Sequence, residues 1–462
     1  MEWEDENKHA ELGEDETKDA SEIENRSVPT ENDTELDSRP VPCSDIGTSE
    51  LFEPLNARAV QIRRSPTWMG DYLSGEELSD EDIESSSSRI CLSKMSTAKP
   101  SPICPKFISV EGDDIYSRSK PDGVRFSLVS YNILAQVYAK SYFFLHSPSP
   151  CLNWKARSEA ILTVLKNLGT DFLCLQELDE YDSFYKKNIE SYGYSSIYIQ
   201  RSGQKRDGCG IFYKPDCANL LIEERIEYND LADAIKDESI LHDDKHGDTQ
   251  AHGDENSEAK NGSSSKSTLK DSGDPNDPRV RFKRDCVGIM AAFRLKDSFH
   301  HVIVANTHIY WDPKWADVKL AQAKCLLSRL AQFKELVSQK YECKPSVVLA
   351  GDFNSNPGDE VYEYLVSGKS SSASLVDCSD GLPIPLCSVY GSTRGEPPFT
   401  TCTPHFTDTL DYIFFVPDDH IKPLSLLELP EANSSTVLGG LPNYHHPSDH
   451  LPIGAEFEIT RE

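Results

Sequence analysis

Six short polar islands interrupt apolar runs of this 462-residue chain: Ser130-Tyr-Asn132, Leu175-Gln-Glu177, Asn306-Thr-His308, Gly351-Asp352-Phe-Asn354, Leu410-Asp411-Tyr and Ser448-Asp449-His450. A packed core has no use for carboxylates, amides and imidazoles at the ends of apolar strands. Brought together, they would suit metal-assisted hydrolysis of a phosphodiester, which needs a cation to neutralise charge, an activated water and donors for the leaving oxygen. Glu177 closes the run Phe-Leu-Cys-Leu-Gln, where a carboxylate is costly unless it meets a cation, so it is the candidate magnesium ligand. Asn132 ends another run and is placed to hold metal-associated water or phosphate. Strand alternation would put Asp352 and Asn354 on one face and Phe353 on the other. Asp352 could then orient or deprotonate water, and Asn354 could donate to a phosphate oxygen. His450 and His308 are candidates to face phosphate, with Asp411 holding the ring and tautomer of His450. Each island alone also has an ordinary reading: Glu177 paired with a lysine, Asp352 closing a turn, Asn-Thr-His as a loop. Acidic strand ends gathered without a cation would repel one another.

Elements that could position these residues are legible around them. Phe126–Leu134, Asp171–Leu178, Ser195–Gln200, Gly208–Lys214, Gly288–Leu295, His301–His308, Ser346–Leu349, Leu410–Phe415 and Ile453–Ile459 are expected as strands. Trp154–Leu168 is expected as a helix, capped by Asn153 and closed by Gly169. Leu320, Ala323, Leu327, Leu330 and Phe333 mark a second helix over Asp317–Val337, and a short one is expected near Glu360–Leu365. Two packed sheets with helices outside, an α/β sandwich, fit this order.

Composition divides the chain. Residues 1–100 carry a net charge of −15 and residues 230–278 a net of −8, out of −30 overall. Both stretches are polar and poor in apolar clusters, so neither buries enough surface to offset chain entropy. The expectation is a disordered acidic region over 1–105 and a catalytic domain over 120–462 with a disordered acidic insertion at 230–278. The low pI is thus mostly a property of those segments and does not exclude a polyanionic substrate. Thirteen cysteines at irregular spacing, with no C-x-x-C pair, fit a reducing compartment. The acidic start Met1-Glu-Trp-Glu-Asp-Glu has no apolar stretch of the kind a leader needs, and no run approaches a membrane span. Cytoplasm and nucleus are the expected locations.

The islands, with Tyr-Asn-Ile-Leu-Ala-Gln, Lys-Arg-Asp-Gly-Cys-Gly-Ile-Phe-Tyr-Lys, Trp-Asp-Pro313-Lys-Trp-Ala-Asp-Val-Lys-Leu and Phe-Thr-Thr-Cys-Thr-Pro-His-Phe406-Thr-Asp-Thr-Leu-Asp411-Tyr-Ile-Phe, resemble the endonuclease/exonuclease/phosphatase superfamily. Within it they resemble the carbon catabolite repressor protein 4 deadenylases, most closely the short plant type. The resemblance covers roughly 120–460 apart from the insertion. It implies a four-layered, deoxyribonuclease I-like sandwich and a magnesium-dependent (manganese being the alternative ion) 3'-to-5' exoribonuclease that shortens poly(A) tails and releases 5'-AMP. It implies magnesium at Glu177, with Asn132, Asp352, Asn354, Asp411, Asp449 and His450 completing the catalytic set. It also implies Pro313 and Phe406 flanking a terminal adenine; core packing is the other reading of Phe406. Poly(A) RNA is the expected partner, with no DNA or membrane, and a NOT-type deadenylase complex is a further candidate. The yeast and animal catalytic subunits carry leucine-rich repeats before this domain, where this chain has an acidic tail. Arg201, Lys205, Arg206, Lys283 and Arg284 are basic loop residues that could track an RNA backbone or be scattered surface charge. Two rival functions stand beside the deadenylase: a nocturnin-like dinucleotide 2'-phosphatase, and a catalytically silent adaptor binding RNA or a complex.

Overall fold

Near-continuous apolar strands need cover on both faces, and in the computed structural model two mixed sheets supply it for each other. The structure describes residues 101–110, 123–234, 274, 276–298, 300–367, 383–417 and 420–460. Residues 1–100 of the expected disordered region 1–105 and most of the expected insertion lie outside them; the end of that region is corrected, since the Ile103 amide donates to the His445 carbonyl and Phe107–Ser109 pairs into the first sheet, ahead of the expected domain start at 120. At the insertion's near edge Ala232 is buried with Phe282, Val318 and Ala321.

The strands in the first half are β1 (Phe107–Ser109), β2 (Val124–Asn132), β3 (Phe172–Gln176), β4 (Ser195–Gln200), β5 (Gly208–Tyr213) and β6 (Ala218–Glu227). Then come β7 (Val287–Leu295), β8 (His301–His308), β9 (Ser346–Asp352), β10 (Cys387–Ser388), β11 (Thr401–Cys402), β12 (Thr407–Asp408), β13 (Asp411–Phe415), β14 (Ile421–Leu427) and β15 (Ile453–Ile459). One sheet runs β1-β14-β15-β2-β3-β5-β4, the other β10-β13-β9-β8-β7-β6, and β11 and β12 form a small separate pair.

Between the sheets, Phe126, Leu128, Phe172 and Cys174 meet Ile289, Ala291, Val304 and Val348. On the far face of the first sheet, Val129, Leu173 and Leu175 lie under Ile161 and Leu165 of the helix Trp154–Leu168. On the far face of the second, Met290, Ile303 and Leu349 lie under Leu326, Leu330 and Phe333 of the helix Ala316–Tyr341. These are the four layers of the expected sandwich. Among the described residues no helix is long and apolar enough to cross a membrane, and all ten described cysteines are free.

Local signals act as their chemistry requires. The Asn153 side chain accepts from the Lys155 amide, and Gly169 closes the first long helix at φ 58°. The second long helix runs one turn past Val337 and stops at Glu342, which has φ 50°. Several expectations need correction: the short strands β1, β10, β11 and β12 were not expected, and the strand expected to Leu178 ends at Gln176. The strand expected through Leu134 ends at Asn132, because Leu134 has φ 56°. β6 and β14 were not expected as strands. β6 is a half-exposed edge carrying Glu223, Glu224 and Arg225, and β14 contains Pro423 beside a bulge.

Register then builds the site. Asp411 of β13 and His308 of β8 both stand opposite Asp352 of β9. Directly paired residues share a face, so one row of polar side chains crosses the end of the second sheet. In the first sheet, Asn132 stands opposite Gln176, one residue before Glu177.

Candidate active site

Asn132 joins the two sheets. Its side-chain amide donates to Glu177 Oε1 at 3.1 Å and to Asp352 Oδ2 at 2.9 Å. Its own oxygen accepts from the Leu134 amide at 3.0 Å, so the side chain cannot rotate without losing three bonds. Both amide protons are therefore committed to the carboxylates that sequence reasoning singled out.

Glu177 leaves β3 through a left-handed residue at φ 51°, a conformation disfavoured for a side chain of this size. The Ala135 amide holds its Oε2 at 2.9 Å. Burial, then the nearby carboxylates of Asp449 and Asp207, push its carboxyl up to about 8. Burial thus outweighs the two hydrogen bonds that favour the anion.

Asp352 is buried, within 3.6 Å of His308 Nε2 and 3.8 Å of His450 Nε2. His450 Nδ1 lies 2.7 Å from Asp411 Oδ2, which also accepts from Thr400 Oγ1 at 2.6 Å. Burial opposes charge on His450, but Asp411 and Asp352 hold its imidazole well above the ordinary histidine range. His308 goes the other way: burial keeps it below the ordinary value despite Asp352. Two imidazoles on one carboxylate are thus shifted in opposite directions.

Asn354 reaches the site by a turn and not by the expected strand alternation. β9 ends at Asp352, so strand alternation does not place Asn354. A turn does: the Asn354 amide donates to Asp352 Oδ1 at 2.9 Å, and Asn354 has φ 45°. Its side-chain amide donates to Ile309 O at 3.0 Å, and its carbonyl accepts from the buried Lys319 at 2.7 Å. Phe353 is buried in the outer core, as expected.

Asp449 is half-buried beside His450, and its carbonyl accepts from the Cys402 amide and Thr401 Oγ1. Pro313 is exposed on the loop after His308. Phe406 is 43% exposed in the β11–β12 turn, which rules out core packing. The same hairpin bridges to the site at Thr401 and His450. Arg201 is not a free basic residue. It donates to Asp207, to the carbonyl of Asp285 and to that of Arg284.

Sequence reasoning missed the supports. Arg157, buried on an otherwise apolar helix face, donates to Ile133 O at 2.8 Å and Gln136 Oε1 at 2.9 Å, pinning the chain after Asn132. Asn306 donates to Leu175 O and Gly210 O and accepts from Gln176, tying the sheets together beneath the site. Asp207 accepts from Tyr138 at 2.8 Å and Arg201 at 3.3 Å. Thr400 fixes Asp411. A buried arginine on a helix and an amide inside an apolar strand were the available signals; Thr400 gives none.

A profile of the Endonuclease/Exonuclease/phosphatase family matches residues 129–450. The chain is 59% identical to Carbon catabolite repressor protein 4 homolog 4 of Arabidopsis thaliana, over 77% of this chain and 91% of that protein. It is 28% identical to the CCR4-Not complex 3'-5'-exoribonuclease subunit Ccr4 of Candida albicans, over 76% of this chain but only 43% of that protein. Among solved structures it is similar to ANGEL2, a 2',3'-cyclic phosphatase crystallised with adenosine-2',3'-vanadate, at 26% identity and a TM-score of 0.56, covering 77% of this chain and 99% of that one. Fold, site and sequence agree: this chain belongs to the endonuclease/exonuclease/phosphatase family.

Proposed function

We propose that this protein is a magnesium-dependent 3'-to-5' exoribonuclease that shortens poly(A) tails and releases 5'-AMP, with manganese as the alternative ion. The bridge from Asn132 to both Glu177 and Asp352, beside the Asp411–His450 pair, is the observation that carries this reading. The names of the Arabidopsis and Candida relatives support the choice of substrate. The fungal name also supports a NOT-type complex as partner. Action in cytoplasm and nucleus belongs to the same proposal.

The donor set fits a divalent cation. Glu177 carries excess negative surroundings that a cation relieves, and Asp411 Oδ1 has no partner among the described residues. Glu177 would hold the ion, with Asn132 orienting its carboxylate. A bound ion supplies charge neutralisation at the scissile phosphate and a more acidic water. Asp352, Asp411 and His450 form a second compact group whose ligand atoms lie within 4.8 Å of one another. There His450 Nδ1 is already spent on Asp411, so we assign this group to proton handling. Asp352 orients and deprotonates the attacking water. His450 donates from Nε2 to the phosphate oxygens, and His308 and Asn354 complete the polar wall. Asp411 fixes the tautomer of His450, and Thr400 fixes Asp411. Exposed Pro313 and Phe406 offer flat apolar surfaces to the terminal adenine.

Glu177→Ala abolishes magnesium-dependent shortening of an adenosine-tailed RNA while the melting transition stays cooperative; appreciable residual hydrolysis refutes the metal role. The likeness to ANGEL2 favours a second reading, hydrolysis of a terminal 2',3'-cyclic phosphate. An RNA ending in that group, opened without loss of a nucleotide, distinguishes it.

A further inference from the structure

Beyond His308 the polar row gives way to the core, and a basic group lies on the segment just before the next strand. β7 is the next strand, and its first residue Val287 stands opposite His308. Just before it, the Arg284 guanidinium carbon lies 4.1 Å from the Trp315 ring centroid and 5.4 Å from that of Tyr310. Arg281 also lies 4.1 Å from the Trp315 centroid. Tyr310 and Trp315 sit on the loop that leaves His308 and carries Pro313. β7, which follows Arg284 of this ladder in the chain, is the second strand from β9 and Asp352 in this sheet.

The two arginines differ. Arg281 is neutralised by Asp317, both bonds at 2.6 Å. Arg284 has no carboxylate partner among the described residues. Its Nε is buried without an acceptor, and its Nη1 donates only to the carbonyl of Lys283. A single arginine over an aromatic ring is common. Two guanidinium groups on one indole, one of them with a buried donor unspent, call for an anion. Arg201 holds the Arg284 carbonyl from below, and the Asn229 side chain holds its amide, so the loop is built in place. Lys283 and Lys314 are exposed on either side.

We propose that Arg284, braced on Trp315 and Tyr310, binds a backbone phosphate of the RNA upstream of the scissile bond. The site deepens the exoribonuclease reading and rests on it. The guanidinium grips phosphate oxygens regardless of base, so it sets tail length rather than base choice. A tail long enough to reach the ladder is held between turnovers; a shorter one is not.

The test uses the full-length chain. In EDTA, fluorescence anisotropy measures binding of a labelled decamer of adenosines over a salt series; with magnesium, steady-state rates are taken on the decamer and on an adenosine dinucleotide. Arg284→Gln weakens decamer binding about fivefold to tenfold and flattens the log–log salt slope by about 0.7, the loss of one single-strand phosphate contact. It leaves kcat/KM on the dinucleotide within about twofold, and Arg284→Lys retains part of the decamer affinity. Equal loss on both lengths would make the ladder merely structural, and unchanged decamer binding would also overturn the site. If wild-type protein neither binds nor trims the decamer, the exoribonuclease reading itself fails. If wild type and Arg284→Gln trim alike, only this site fails.

Discussion

One amide facing two carboxylates sets the terms at Asn132. Replacing it by aspartate leaves the shape and puts a third negative charge between Glu177 and Asp352. Asn132→Asp should lower kcat by at least about 10²-fold, the scale of losing a preorganised donor; single-turnover rates check it. Glu177 gives a stability test. Its folded pKa of about 8 lies above the ordinary carboxylate value, so the folded chain binds an extra proton between the two. Metal-free stability attributable to this group therefore falls as pH rises toward about 8. At pH 8 in EDTA, Glu177→Gln should melt a few degrees higher than wild type, at ~2–4 °C per kcal/mol for a domain this size. Magnesium should raise the wild type and leave the variant unmoved. His450 has the opposite charge logic. Asp411 and Asp352 favour its charged form despite burial, so it loses its proton at a higher pH than an ordinary histidine. Asp411→Asn removes one of those carboxylates, so the alkaline limb of the pH–rate profile should move to lower pH as kcat falls.

Elements explain which of these residues sequence could reveal. Glu177, Asp352, Asp411 and His308 end or begin apolar strands, where a polar residue is visible against its surroundings, and register then lines three of them up. Asn354 was found for a wrong reason: a turn rather than strand pleating places it. The turn depends on another element, since Lys319 of the long helix donates to the Asn354 carbonyl. Lys319→Met should lower kcat about tenfold with little change in KM, as the turn loosens without a substrate contact being lost; steady-state kinetics separates the two. Thr400 and Asp207 were illegible because their partners, Asp411 and Arg201, lie in distant or folded-back segments. β6 and β14 escaped notice because an exposed edge and a bulge with proline erase the alternation that marks a strand.

At the scale of the whole molecule, function lies on the seam between two sheets. Glu177 and Asn132 come from one sheet, and Asp352, Asp411 and His308 from the other. Asn306 and Gln176 lock the seam beneath them; both stand in the polar islands of the sequence, but nothing there shows that they pair with each other. Asn306→Ala removes the donors to the Leu175 and Gly210 carbonyls and one acceptor of the Gln176 amide, so it should cost ~1–3 kcal/mol per buried group left unsatisfied; urea denaturation reads it. The four-layered architecture, by contrast, was legible from the order of strands and helices alone. The central claim is most directly tested with purified protein and magnesium on a 5'-labelled RNA ending in adenosines, beside the same RNA ending in cytidines, with Asp352→Ala as the blank. Nucleotide-by-nucleotide shortening of the adenosine tail alone, absent in the blank, is the predicted result. Equal attack on both tails, or none on either, would contradict it.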